Sequence, residues 1–252
     1  MKATDGALAG KWALVTGASR GIGKAISERL AVEGVHVAIH YNSSAESAGQ
    51  VAEICRNQGV QTLVIQGDLS AHDGAVALAK GVSEAGVSVD ILVNNAGTFD
   101  AAPLWSCSDE SWERVQRVNF ESSRKLIQAF LGPMLQKRWG RIVNLSSILG
   151  RWGGRGNASY CVSKAALDAL TRVAAIEVGR KGITVNAIAP GLVATEMAEG
   201  MGEEMQKRII ERTPLRRAAE PSEIAEAVVF LCRCGYVTGE VLCIDGGLRQ
   251  SF

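Results

Sequence analysis

The stretch "LVTGASRGIG", residues 14–23, passes from an apolar run through Gly17, Gly21 and Gly23 into an amphipathic segment. The run before the glycines is strand-like, and the segment after them has helical periodicity. Glycine permits a tight turn and lets a ligand approach the backbone closely. A helix that begins at such a turn aims free N–H groups and its positive dipole end at an anion. The spacing is GxxxGxG rather than GxGxxG. The strand before it and the helix after it still make the arrangement a cradle for a dinucleotide pyrophosphate. Ser19, Arg20 and Ile22 lie between the glycines and belong to the same cradle.

Outward from this turn the pattern repeats. "KWALVTG", "VHVAIHY", "QTLVIQGD", "VDILVNNAG", "GRIVNLSS", "GITVNAIAPG" and "EVLCIDGG" read as strands bounded by turn residues. Helical segments lie between them at 21–33, 45–58, 72–86, 109–138, 158–180 and 221–231. Strands that are apolar nearly throughout, alternating with helices, predict an α/β fold with a parallel sheet covered on both faces. There is no internal repeat or linker, so residues 1–252 are expected to form a single doubly wound domain. One segment departs from the alternation. "TEMAEGMGEEMQKRIIERTP", residues 195–214, is Met-rich and polar, and is expected to be helical in pieces. Its place after the sixth strand sets it over the carboxyl ends of the strands, where ligands bind in open α/β sheets. It is read as a substrate lid or, equally, as an ordinary connecting excursion.

Composition narrows the function classes. A net charge of +1 gives no electrostatic case for nucleic acid or a membrane surface. No apolar run has the length of a membrane span, and the N-terminus lacks the apolar core of a secretory signal. The six scattered cysteines suit a reducing cytoplasm better than a disulfide framework. His36, His40 and His72 have no metal-ligand spacing, and Cys232 with Cys234 is a poor zinc signature, so no metal is expected.

The end of the second strand bears on cofactor choice. An acid there would bind a ribose 2′-OH and repel a 2′-phosphate. None occurs from Ile39 to Ala45; Tyr41, Asn42 and Ser43 stand at the strand end, and Arg20 is suited to phosphate. NADP is therefore expected over NAD. Asp68 in "GDLS", followed by Leu69, could accept from an adenine amino group, and Asn95, Ala96 and Gly97 in "NNAG" would let a ribose or nicotinamide pack closely. Further on, "SYCVSK" sets Tyr160 and Lys164 four residues apart, on one helix face. A nearby ammonium stabilises a phenolate, so the spacing predicts a proton donor beside the cation that lowers its pKa.

"TGASRGIG", "NNAG", Asn119, Ser147, YxxxK and "PGLVAT" occur in that order across about residues 8 to 247. The chain thereby resembles the short-chain dehydrogenase/reductase family. The resemblance implies a Rossmann-like domain with a seven-stranded parallel sheet, often assembled as a homotetramer. It implies that Ser147 binds the substrate carbonyl, that Tyr160 donates its proton, and that Lys164 tunes Tyr160 and holds the nicotinamide ribose. Ser146 is the neighbouring alternative to Ser147, which has the family spacing of thirteen residues to Tyr160. Asn119 is implied to hold a water that links Lys164 to solvent. Pro190, Gly191, Val193 and Thr195 match the PGxxxT segment, which contacts the carboxamide and pyrophosphate.

Within the family the chain is most similar to 3-oxoacyl-[acyl-carrier-protein] reductases of fatty-acid synthesis. That similarity implies an acyl-thioester substrate and acyl carrier protein as partner, met by Arg138 and Lys181 near the catalytic face. Arg216 and Ala219, the short "FLCRCGYVTG" connection, and Arg151, Trp152 and Arg155 depart from the subgroup pattern. A short-chain dehydrogenase acting on a small ketone, sugar or secondary alcohol is the alternative. A non-catalytic nucleotide-sensing protein is the alternative of another class.

Overall fold

The computed structural model describes residues 8–251. Seven strands, β1 (Trp12–Val15), β2 (His36–Tyr41), β3 (Thr62–Gln66), β4 (Ile91–Asn94), β5 (Gly140–Leu145), β6 (Ile183–Pro190) and β7 (Val241–Ile244), form one sheet. Its order is β3-β2-β1-β4-β5-β6-β7, and every neighbouring pair is parallel. The chain is thus a doubly wound α/β domain, as its strand–helix alternation predicts.

Alternation along each strand divides the core. Ala13 and Val15 of β1 face one layer with α1 (Gly21–Val32), α2 (Ala45–Arg56) and α10 (Pro221–Arg233). Leu14 faces the other, with α3 (Gly74–Glu84), α5 (Ser122–Lys137) and α7 (Ala158–Val178). Both faces of the sheet are therefore dry, which is why the central strands carry no polar/apolar alternation. Burying one such leucine contributes about 1.5–3 kcal/mol. Strand order reverses between β1 and β4, and the carboxyl ends at such a switch point are where open α/β sheets bind ligands. Those two ends deliver Gly17 and Asn95.

Two local features depart from the sequence reading. The expected helix over 109–138 is divided into α4 (Asp109–Gln116) and α5 by a π-helical turn, Arg117–Glu121. A short helix, α6 (Leu149–Trp152), follows β5. Residues 195–214 carry two helices, α8 (Glu196–Glu199) and α9 (Glu203–Arg212). No helix among the described residues is long and apolar enough to cross a membrane.

Candidate active site

The glycine turn is held from below by side chains that sequence patterns do not reveal. Thr16 accepts from the N–H groups of Asn95 and Ala96, both at 2.9 Å, and donates to the Val93 carbonyl. Asn95 Nδ2 donates to the carbonyls of Thr16 and Gly17 at 2.8 and 3.0 Å. His40 Nδ1 accepts from the Gly17 N–H at 3.1 Å, and its Nε2 lies 3.0 Å from the Gly67 carbonyl. An acceptor at one nitrogen and a carbonyl at the other select the neutral Nε2–H form. Burial lowers the His40 pKa accordingly, against the opposing pull of the Gly67 carbonyl.

Gly17 has φ +62°, and Gly23 packs so tightly that a Cβ would lie 2.3 Å from the Gly17 oxygen. Both positions require glycine. The N-terminus of α1 has no side-chain cap and no acid in its first turn. An uncapped dipole end over the switch point, free of negative charge, fits a pyrophosphate. The residues present therefore fit a dinucleotide.

Around the expected adenosine side, Asn42, Ser43 and Asp68 are exposed, Tyr41 packs partly against the core, and Leu69 is buried. Asp68 Oδ1 accepts from Ser70 N–H and Oγ at 2.8 and 2.6 Å, and these bonds hold its carboxyl below the usual range. Ser19 and Ile22 are half-buried in the turn. Arg20 is exposed and forms an ion pair with Glu196 of α8. Its guanidinium is thus already engaged by a carboxylate rather than free for a phosphate.

The catalytic candidates gather where β4, β5 and α7 meet. Ser147 follows β5 and accepts from the Leu149 N–H at 3.2 Å. Lys164 is buried, and its Nζ donates to the Leu145 carbonyl at 2.6 Å. Its ammonium lies 5.6 Å from the Tyr160 ring centroid. A Cβ on Gly97 would stand 3.6 Å from both Lys164 Nζ and Asn119 Oδ1, so the end of β4 adjoins the same group. Burial lowers Lys164 to about 8, opposed by Asp168. Burial raises the Tyr160 phenol, and a hydrogen bond with Ser147 opposes the rise. The sequence reading expected Lys164 to bring the phenol down. The net direction is the reverse, because removing a phenolate from water costs more than the neighbours return. A raised pKa keeps Tyr160 protonated at neutral pH, the state of a proton donor.

Asn119 sits within the π turn, fully buried. Its Nδ2 donates to the Thr98 carbonyl and to Ser163 Oγ at 2.9 and 3.0 Å, and its Oδ1 accepts from the Thr98 N–H at 2.8 Å. Ser163 Oγ in turn donates to the Tyr160 carbonyl at 2.7 Å. The side chain thus ties β4 to the Tyr160 helix. The wider turn displaces carbonyls from their usual helical partners. The hydroxyls of Ser122 and Ser123 approach two of them, on Val118 and Asn119, at 2.6 and 3.3 Å. Such π turns often mark functional positions.

After β6, Gly191 N–H donates to the Ile244 carbonyl, and Val193 pairs with Ala219. Pro190 and Val193 are buried, while Thr195 caps α8 by accepting from the Ala198 N–H at 3.4 Å. A Cβ on Gly21 would meet the Thr195 methyl at 3.4 Å, which brings the root of the 195–214 segment over the glycine turn. Ile209 of α9 packs on a small cluster with Ile148, Trp152 and Leu248.

A family model described as enoyl-(acyl carrier protein) reductase matches residues 17–249. The 3-oxoacyl-[acyl-carrier-protein] reductase of Staphylococcus epidermidis is 38% identical over 94% of this chain and 98% of its own. That of Pseudomonas aeruginosa is also 38% identical, over 97% and 99%. The chain belongs to the short-chain dehydrogenase/reductase family. It is an NAD(P)-dependent oxidoreductase of that family. A structure of a putative NAD(P)-dependent gluconate 5-dehydrogenase from Beutenbergia cavernae, with bound NADP, superposes with TM-score 0.91 at 37% identity, covering 96% and 98% of the two chains. A 3-oxoacyl-[acyl-carrier protein] reductase from Brucella melitensis gives 0.88 at 31%, covering 95% and 91%.

One expectation drawn from the family needs correction. Arg138 and Lys181 sit together, with Arg138 donating to the Arg180 carbonyl at 3.0 Å. They precede β5 and β6, so they lie at the amino edge of the parallel sheet. Ser147 follows β5 at the opposite edge. The two cations therefore do not adjoin the catalytic face of their own chain. Among residues that pattern reading misses, His40 and Thr16 carry the glycine turn, Ser123 and Ser163 bond Asn119, and Ser122 bonds the neighbouring Val118 carbonyl. The one available signal was the pair of serines in "RVNFESS".

Proposed function

We propose that this short-chain oxidoreductase is an NADP(H)-dependent carbonyl reductase whose substrate is a 3-oxoacyl thioester, reduced to the 3-hydroxyacyl form. The observation that carries the chemistry is the grouping of Tyr160 with Ser147 and with Lys164, whose ammonium lies 5.6 Å from the phenol ring and flanks Gly97. When bound, the nicotinamide supplies the hydride. Ser147 holds the carbonyl oxygen, and Tyr160 gives its phenolic proton to that oxygen. Lys164 has donors beyond the one aimed at Leu145, and these serve the ribose hydroxyls. Both Asn119 Nδ2 hydrogens are engaged, so the relay water is assigned to its main-chain carbonyl, where it would share the oxygen with Ser123 Oγ at 3.3 Å. Positioned acid catalysis of this kind is typically worth about 10² to 10⁴ in rate.

The thioester assignment is supported by the 3-oxoacyl reductases at 38% identity over nearly the whole chain. NADP is supported by the acid-free end of β2 and by NADP in two similar structures. The segment 195–214 is assigned as the substrate lid, with Met197, Met201 and Met205 offering exposed, adaptable apolar surface. A homotetramer in the cytoplasm would cover Val173 and Ile176 on the outer face of α7, both exposed. Acyl carrier protein remains the proposed partner, with Arg138 and Lys181 serving a site other than that of their own chain.

A second reading has its own support. Several similar structures are putative gluconate dehydrogenases, and Arg151, stacked 5.2 Å over Trp152, adds cationic surface that a sugar acid would meet. The deciding experiment compares kcat/KM for acetoacetyl thioesters, simple ketones and keto-sugar acids with NADPH and NADH. The proposal expects the thioester with NADPH to lead. A keto-sugar acid in that place replaces it with the second reading. Cofactor binding with no turnover on any carbonyl would instead support a nucleotide sensor.

A further inference from the structure

Asp168 lies one turn beyond Lys164 and two beyond Tyr160 on α7. It has little exposed surface, and its Oδ1 has no hydrogen-bond partner. The Ser146 hydroxyl, which donates to the Lys164 main-chain carbonyl at 3.4 Å, lies close enough to favour the ionised carboxyl. The charged groups acting on it are Lys164 and Arg172 from its own helix and Arg151 from α6. A buried carboxylate with an unpartnered oxygen is expensive, and a neutral side chain would fill the same space. Lys164, for its part, is a buried cation whose hydrogen-bond acceptor is the neutral Leu145 carbonyl. The groups near it are the Tyr160 ring and Asp168, while Asn119 Oδ1 of the π turn flanks Gly97 as Lys164 Nζ does. Of these, only Asp168 brings negative charge.

We infer that Asp168 is a positioning residue that keeps Lys164 in its ammonium form, so that Tyr160, Lys164 and Asp168 act as one line of coupled groups along α7. The inference rests on the assignment of Lys164 to catalysis. Two opposite charges buried one turn apart each favour ionisation of the other. Burial alone drives them the other way, lowering Lys164 and raising Asp168. Take the carboxylate away and the ammonium loses its proton nearer neutrality. The charge and a donor for the ribose are then lost together.

The test is a direct titration of Lys164 without cofactor, by NMR of protein carrying ¹³C at the lysine ε carbon. The Lys164 signal is identified by its disappearance in Lys164→Arg. In the native protein its midpoint is expected near 8. Asp168→Asn, which keeps the shape and removes the charge, should lower the midpoint by roughly one unit or more. Asp168→Glu should return it toward the native value. An unchanged midpoint in Asp168→Asn overturns the inference. Should that variant fail to fold, the coupling is read in reverse: Lys164→Gln must raise the Asp168 carboxyl titration, and no rise is equally fatal. The alkaline limb of kcat/KM for carbonyl reduction should move with Lys164. If the titration shifts and the rate profile does not, Asp168 keeps its role and the catalytic assignment of Lys164 fails.

Discussion

Asn119 and Met205 are built by opposite means. Asn119 has no exposed surface, and its side chain engages Thr98 twice and Ser163 once. Met205 is half exposed, on a ten-residue helix with no buried residue. The first belongs to a floor made of Thr16, His40, Asn95, Asn119 and Lys164, cross-linked by hydrogen bonds at the carboxyl edge of the sheet. The second belongs to a segment held by the Arg20–Glu196 ion pair, by Ile209 and the buried Thr213, by a Thr195 cap, and by a bond from Gln206 to the Ala198 carbonyl at 3.0 Å. Helices of that length are marginal on their own. The contrast fits the proposed division: chemistry in a cross-linked region, and substrate closure, as proposed, in a segment of few buried contacts.

The largest effect should come from the floor. Tyr160→Phe removes the proposed proton donor and keeps the ring. A loss of about 10² to 10⁴ in kcat is expected, with NADPH affinity nearly unchanged. Single-turnover rates and a binding titration check both halves. Retention of more than about a tenth of kcat with chemistry rate-limiting removes Tyr160 from the acid role.

An intermediate effect should appear where floor and overhang touch, at Arg20 and Glu196. Arg20→Ala should weaken NADPH by roughly ten- to a hundredfold and NADH less, since charge-assisted bonds contribute about 1.5–3 kcal/mol. Glu196→Gln should do the opposite, because it frees Arg20 from a competing carboxylate. An exposed pair contributes about 0–1 kcal/mol, so the gain is at most roughly fivefold and shrinks with salt. Titrations of both cofactors against both variants decide it. Equal changes for NADPH and NADH would remove the 2′-phosphate from this site.

The smallest effect concerns His40. Its folded pKa is lowered from 6.5, so the unfolded chain takes up a proton first as the solution is acidified. The stability this contributes is complete above 6.5 and is lost as pH falls through the folded value. Melting of His40→Gln should therefore depend less steeply on pH below 6.5 than melting of the native protein. Parallel curves would mean that His40 does not titrate between the two states.

Which parts of this were legible in the sequence follows from distance along the chain. The glycine turn and YxxxK depend on spacings of a few residues, and strand–helix alternation fixes the doubly wound sheet from local pattern alone. His40 bonds a glycine 23 residues away, and Thr16 holds Ala96 across 80. No local pattern encodes such pairs. The Arg20–Glu196 pair spans 176 residues and was invisible for the same reason. The π turn at Asn119 changes one hydrogen-bond register without disturbing the amphipathic period, so residues 109–138 read as one helix. The direction of the Tyr160 shift is not legible in the sequence, because spacing reports the neighbouring cation and says nothing about burial.

The division into a fixed floor and a ligand-closed overhang is tested most directly by amide hydrogen exchange, with and without NADPH and a substrate analogue. The account predicts that amides of residues 93–97, 117–123 and 160–168 are protected without ligand and change little on binding. Residues 196–212 should exchange fast alone and gain protection when both ligands are present. Fast exchange across 117–123 in the free protein, or a 196–212 segment protected equally in both states, would contradict it.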